Sequence, residues 1–209
     1  RWMIDRFDGS EGLGAIFPPM IWSIIALRAL GYSDDSPQVK YCHQHLDGLL
    51  IEEDGAVRLQ PCKSPVWDTA ITLRSLRASG LQASHPAAQR AVEWLLDREV
   101  RRRGDWCETV GAQPGGWCFE YANEFYPDVD DTIMVLMALA SQVETAPTAS
   151  SPSHAVHLLD HGASRGVAEA RKRVASFDRL AGASQRALAW VLAMQNSDGG
   201  WGAFDRNND

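Results

Sequence analysis

The sequence predicts an all-α fold of stacked helical hairpins, and three observations predict it. Apolar residues recur with the 3.6-residue period of helices, strand-like alternation is nearly absent, and two pairs of segments repeat each other. Pro18-Pro19 opens the first helix, whose apolar positions are Met20, Ile21, Ile24, Ile25, Leu27 and Leu30. Gly31 closes it, as expected of proline in the first turn and glycine just past the last. A second helix is read from Pro37 to Ile51, where Glu52-Glu53-Asp54-Gly55 ends it. Pro65 opens a third, through Ile71, Leu73 and Leu76 to Gly80, and Pro86 a fourth, through Val92, Trp94, Leu95 and Leu96. A Gly/Pro-rich loop leads to Pro127 and a fifth helix, Ile133 to Ala140. Residues 145–153 have the composition of a linker, and two more helices follow, the last from about Ser184 to Gln195.

The helices repeat. Arg90-Ala91-Val92-Glu93-Trp94-Leu95-Leu96 matches Arg186-Ala187-Leu188-Ala189-Trp190-Val191-Leu192. Val66-Trp67-Asp68-Thr69 matches Val129-Asp130-Asp131-Thr132 at the head of another helix. Such self-similarity implies stacked αα-hairpins in an open solenoid or a closed α/α barrel, and Trp-rich loops that tie successive hairpins together favour the barrel.

Composition narrows the function classes. With 209 residues and a net charge of -7, the chain has no electrostatic footprint for phosphate backbones, which argues against nucleic acid. The most apolar stretch, Met20 to Leu30, is short of the ~20 residues of a membrane-spanning helix. Cys42, Cys62, Cys107 and Cys118 form no CxxC pair, so neither a disulfide framework nor a structural zinc is expected. The chain begins with Arg1 and ends in the polar run Asn207-Asn208-Asp209, and we read it as a piece of a longer protein.

Two motifs carry chemistry. Trp190-Val191, then Gln195, Gly199 and Trp201, has the form of the QW repeat of terpenoid cyclases. The Gln amide is expected to lie on the indole face and bond the end of a neighbouring helix. A second copy is read at Trp94-Leu95, Glu99, Gly104 and Trp106, with one extra residue, and a degenerate third at Asp8 to Leu13, with Leu13 in the Trp position. The other motif is Pro127-Asp128-Val129-Asp130-Asp131-Thr132. Its three close carboxylates repel one another, and burial adds to the effect, so at least one proton should be retained. The helix dipole opposes this by only ~0.3–1 kcal/mol. Plain helix capping is the alternative reading of such a cluster. A calcium loop is excluded, since Ile133 stands where an EF-hand needs Gly and Leu139 where it needs Glu. Arg101-Arg102-Arg103 reads as a solvated helix end rather than a diphosphate site.

Together with Gly14-Ala15-Ile16-Phe17-Pro18-Pro19, Ser64 to Thr69, Pro114 to Glu120, Tyr126 to Thr132 and Gln195 to Asp205, these motifs resemble squalene-hopene cyclase, the bacterial class II triterpene cyclase. The resemblance implies an isomerase that protonates squalene and closes it to hopene or hopanol, with no metal or organic cofactor. Asp130 is implied as the Brønsted acid, with Asp128 and Asp131 as its flanks. Trp67, Asp68, Phe119, Glu120, Tyr126 and Phe204 are implied to bind substrate, with Ile16 and Pro18 near its entrance. Phe204 stands where some relatives carry Tyr, and Phe17 replaces a polar residue of some members. The family's acid is strengthened by a His further along the chain, which none of the six His here matches.

The resemblance also implies a monotopic protein on the cytoplasmic face of the bacterial inner membrane, and it is compatible with a homodimer. Residues 1–62 are read as the end of a first α-barrel and 63–209 as the first part of the barrel that holds the acid; alone, the piece should be inactive. Three rivals stand beside this reading. A class II diterpene cyclase would act on a diphosphate through the same acid motif. A protein prenyltransferase β-subunit would hold zinc at Asp105-Trp106-Cys107. An inactive helical-repeat scaffold is the non-enzyme reading. His154, His157 and His161 have i, i+3, i+7 spacing, but an exposed histidine-bearing helix accounts for them, and no metal is assigned.

Overall fold

A computed structural model describes residues 1–143 and 163–207, with side chains from residue 175 in the second stretch. Helices dominate it. They are α1 (Phe17–Ala29), α2 (Pro37–Asp47), α3 (Pro65–Ala78), α4 (Pro86–Leu96), the short α5 (Trp106–Thr109), α6 (Val129–Gln142) and α7 (Ala163–Ala193). Proline occupies the first turn of α1, α2, α3 and α4, where a missing N–H costs nothing. The caps are local: Ser36 accepts from Val39 N, and His85 Nδ1 accepts from Ala87 N.

The hairpins α1/α2, α3/α4 and α6/α7 pack pairwise. α3 lies beside α6, and α4 touches α7. Val66, Leu73, Val92, Leu95, Trp117, Val135, Leu139, Ala183 and Ala187 form the buried core shared by the last two hairpins. Phe7, Ile24, Leu27, Val39 and Cys42 form the core of the first.

One device closes all three hairpins. The chain leaves the outer helix and returns a backbone carbonyl to the first turn of its own inner helix. Pro61 O receives Phe17 N at 3.0 Å, Phe119 O receives Val66 N at 3.4 Å, and Ala203 O receives Val129 N at 2.8 Å. Each bond satisfies one of the amides that a helix start leaves without an internal partner. Consecutive hairpins are then joined through Thr132, which is fully buried: its Oγ1 accepts from Trp117 N at 2.9 Å.

The structure corrects three expectations of secondary structure. The second helix stops at Asp47, and residues 50–59 form a hairpin of β1 (Leu50–Glu53) and β2 (Ala56–Leu59). Asp54 and Gly55 have φ of 52° and 76°, the left-handed pair that a two-residue turn between twisted strands requires. After the linker, α7 is one helix and not two, because Ala183 and Ala187 on either side of the expected break are buried in the core. That packing overrides the ~1 kcal/mol that Gly182 costs a helix. Finally, α6 begins at Val129, four residues before the expected Ile133. The linker at 145–153 and His154, His157 and His161 lie outside the described residues.

The Trp-rich loops differ from expectation as well. Trp201 donates its indole N–H to Val191 O at 2.8 Å, and Trp117 donates to Leu95 O at 2.6 Å. Leu95 and Val191 are equivalent in the repeated helices, so Trp117, and not Trp106, is the counterpart of Trp201. The insertion between Glu99 and Gly115 carries α5, and Trp106 packs from it edge-on against Trp190 with ring centroids 6.1 Å apart. The Trp106 indole bonds Phe125 O. Gln195 bonds Gly199 O in its own loop at 2.8 Å, so the indole, rather than the amide, reaches the helix end. Glu99, in the Gln position, takes both ends of the Arg186 guanidinium at 2.7 Å, which fastens α4 to α7. Trp94 is half-buried and carries the Arg98 guanidinium 3.6 Å from its ring centroid.

The Glu99 side chain is only 5% exposed, so removing Arg186 leaves a poorly hydrated carboxylate with only the longer, 3.3 Å contact to the exposed Arg101 among its described ion pairs. Arg186→Ala is expected to lower stability by about 1–2 kcal/mol, read as a lower thermal midpoint. Arg186→Lys should recover only part of it, since an ammonium cannot bond both oxygens in one plane.

Candidate active site

The segment before α6 is built from the backbone outward. Asn123 Oδ1 accepts from Phe125 N at 3.0 Å and Tyr126 N at 3.1 Å, which tightens the turn that leads to Pro127. Asp128 N then bonds Trp117 O at 3.0 Å, and Asp128 Oδ1 caps the helix by accepting from Asp131 N at 2.7 Å. The capping alternative is therefore correct for Asp128, one carboxylate of the three.

Helical phase separates the others. Asp128, Asp131, Thr132 and Val135 turn inward, and both Asp128 and Asp131 are 2% exposed. Asp130 faces outward and is exposed, at the head of a stripe continued by Ile133 and Met137. Oxygens of the three carboxylates lie within 4.8 Å of one another. The expected retention of a proton falls on the flanks: burial, first, and then repulsion, of Asp131 on Asp128 and of Asp130 on Asp131, raise the pair well above the usual carboxylate range. Oδ1 of Asp131 is buried and has no hydrogen-bond partner. A pair that shares a proton sets one negative charge, not two, beside Asp130.

Six of the other expected site residues fall in three places. Trp67 occupies in α3 the place that Asp130 occupies in α6. It is half-buried, while Asp68 is exposed and accepts from Ser64 Oγ at 2.9 Å. Phe119 is half-buried in the loop that closes the α3/α4 hairpin, and Phe204 stands 55% exposed in the equivalent loop after α7. Ile16 is half-buried at a bridge to Cys62, and Pro18 is exposed at the start of α1.

Tyr126 and Glu120 are placed otherwise. The Tyr126 hydroxyl reaches Asp105 at 3.2 Å, and Asp105 is ion-paired to Arg6 at 2.7 Å. That ties Tyr126 to a cation–aromatic cluster with Trp2, whose ring lies 3.9 Å below the Arg6 guanidinium. Both bonds engage Oδ2 of Asp105, and Cys107, two residues on, is buried.

Glu120 is 1% exposed, and its Oε1 accepts from Asn123 Nδ2 at 2.8 Å. Burial, with Glu11 and Asp131 adding repulsion, pushes its carboxyl up to about 7. Between roughly pH 4.5 and 7 the folded chain keeps a proton that the unfolded chain has lost, so stability falls as the pH rises through this window. The Glu120 contribution to that fall is about 3 kcal/mol at most. Glu120→Gln should flatten the decline in denaturant melts at pH 5 and pH 8; an unchanged slope would assign it to Asp128 and Asp131 instead.

Residues 1–55 match the family model for the squalene-hopene cyclase N-terminal domain, and residues 63–159 and 158–209 match that for the C-terminal domain. The chain is 34% identical over 206 residues to a squalene–hopene cyclase of Bradyrhizobium diazoefficiens, covering 98% of this chain and 27% of that protein. The enzyme of that name from Alicyclobacillus acidocaldarius is 34% identical over 99% of this chain and 28% of its own length. A dammaradiene synthase of Dryopteris crassirhizoma is 33% identical over 100% and 26%. The chain thus spans about a quarter of the length of these curated relatives. Matched by both domains of one family along nearly all its residues, the chain belongs to the squalene-hopene cyclase family.

Proposed function

We propose that this chain supplies the proton donor and part of the cavity wall of a triterpene cyclase that converts squalene to hopene or hopanol. The observation that carries the reading is the division of the Asp128-Val129-Asp130-Asp131 cluster. Two carboxyls are buried and share a proton, while Asp130 is held beside them on an open face lined by Ile133 and Met137. Asp130 gives its proton to one carbon of the terminal double bond, and the π electrons form the new C–H bond. The neighbouring carbon becomes a tertiary cation, which successive double bonds capture to close the rings. The sequence ends when a proton is lost, giving hopene, or water adds, giving hopanol.

The dipole at the head of α6 favours the Asp130 carboxylate once the proton has left. Aromatic faces at Trp67, Phe119 and Phe204 suit a dry wall that stabilises moving positive charge, at ~0.5–2 kcal/mol per contact. Kinship with squalene–hopene cyclases and a dammaradiene synthase supports a triterpene substrate over a prenyl diphosphate. The test is incubation of the full-length protein with squalene and gas-chromatographic analysis of products. Pentacyclic hopanoids are expected, and conversion of a prenyl diphosphate with squalene untouched would favour the diterpene cyclase.

The same reading places the protein on a membrane surface, from which it draws squalene. Among the described residues no helix is long and apolar enough to cross a membrane. Instead, Pro18, Trp22, Ile25 and Ala29 form an exposed ridge along α1, with Trp22 66% exposed and Leu30 at its end 72%. Trp22→Glu with Ile25→Glu is expected to lower binding to phospholipid vesicles at least tenfold in co-sedimentation, leaving turnover of detergent-dispersed squalene nearly unchanged.

A further inference from the structure

We propose that Glu120 is a positioning residue for the acid, holding the Asn123 side chain so that the turn at Phe125 and Tyr126 delivers Asp128 to the head of α6. The inference rests on the acid assignment above and is tested separately from it. Substrate contact is a poor account of Glu120: its side chain is sealed in, and Oε1 lies where it would be 3.9 Å from a Cβ placed on Gly14.

The bonds run in one direction through the turn. Glu120 Oε1 accepts from Asn123 Nδ2, which fixes the amide plane so that Asn123 Oδ1 faces two backbone N–H groups. Pro127, with its fixed φ, and the capping Asp128 follow directly. The turn is also held from outside: Asn123 forms an antiparallel bridge with Ser10, Glu124 N bonds Gly9 O at 3.0 Å, and Tyr121 N bonds Glu11 Oε2 at 3.3 Å. The charged and titratable groups that face Glu120 are Glu11 from the N-terminal loop, Asp131 from α6 and the buried Cys118, whose Sγ donates to Glu120 O. All are acidic or neutral, and among the described residues no cation is paired with the Glu120 carboxyl.

Misplacement of a reacting group by about 1 Å is worth on the order of 100-fold in rate. In the full-length enzyme with squalene, Glu120→Ala is expected to lower kcat at least about 20-fold with KM within about twofold. Glu120→Gln, whose amide oxygen still accepts from Asn123, should stay within about threefold of the parent. Asn123→Asp keeps the acceptor for the two backbone amides but turns an oxygen toward Glu120, and should lower kcat at least about tenfold. It decides the matter if Glu120→Ala does not fold.

A kcat near the parent's in Glu120→Ala or Asn123→Asp overturns the inference. So does a loss confined to KM, or a Glu120→Gln enzyme as slow as Glu120→Ala. Asp130→Asn serves as the reference. If it still turns over, the acid assignment fails; if it is inactive while Glu120→Ala is not, only the role of Glu120 fails.

Discussion

Asp130→Asn is expected to abolish squalene turnover, by three orders of magnitude or more, in the full-length enzyme. General acid catalysis is commonly worth about 10²–10⁴, and protonation of an unactivated alkene lies at the demanding end, because no neutral group at this position can replace the donor. The side chain is exposed and no hydrogen bond of the cap depends on it, so the variant should fold with an unchanged melting temperature. Asp128→Asn is the informative companion. Its Oδ1 can still accept from Asp131 N, so α6 keeps its cap, but the shared proton is gone, and activity should fall less than in Asp130→Asn. Gas-chromatographic rates with squalene measure both. Equal rates in Asp130→Asn and the parent would assign the proton to another group.

The largest effect on stability is expected at Gly116. Its φ is +104°, and an added Cβ would stand 2.7 Å from Thr132 Oγ1, 3.3 Å from Pro127 Cβ and 3.3 Å from the Trp190 ring. Thr132 is the residue that joins the two hairpins, and Trp190 is buried in the core, so neither can yield. Backbone strain of about 1–2 kcal/mol adds to the overlap. A loss of about 3 kcal/mol or more is expected for Gly116→Ala, which in a chain of this size lowers the melting point by roughly 6–12 °C. Gly80→Ala is the control. Gly80 has φ +98° but nothing within 4 Å of the added carbon, so only the strain remains. Similar shifts in the two variants would show that contact with Thr132 matters little.

Much of this architecture was legible because it is punctuated. Proline in the first turns of α1 to α4 and the repeated heads Val66-Trp67-Asp68-Thr69 and Val129-Asp130-Asp131-Thr132 mark the inner helices directly. What escaped was non-local. Counting residues from Glu99 led to Trp106, since a spacing rule has no means of seeing an inserted α5; only the indole of Trp117 on Leu95 O identifies the true counterpart of Trp201. Asp54-Gly55, read as the end of a helix, is instead the turn of a hairpin whose strands pair only once both are formed. At the acid site the residue types were evident, but their division was not. The helical period places Asp128, Asp131, Thr132 and Val135 on one face, and that signal was in the sequence. Which face packs against α3 is settled only by the neighbouring helix.

The carbonyl that completes the start of α6 has a consequence for the order in which the protein is made. Val129 N waits for Ala203 O, which the ribosome delivers about 70 residues later, whereas Trp117 precedes the helix and is already present. A nascent chain that ends before that loop has its three carboxylates in place but the helix above them only half anchored. The head of α6 thus becomes fully anchored late, after the α6/α7 hairpin has closed. In hydrogen exchange the Val129 amide should accordingly gain protection with the last hairpin, while the Val66 amide is protected as soon as Phe119 has been added.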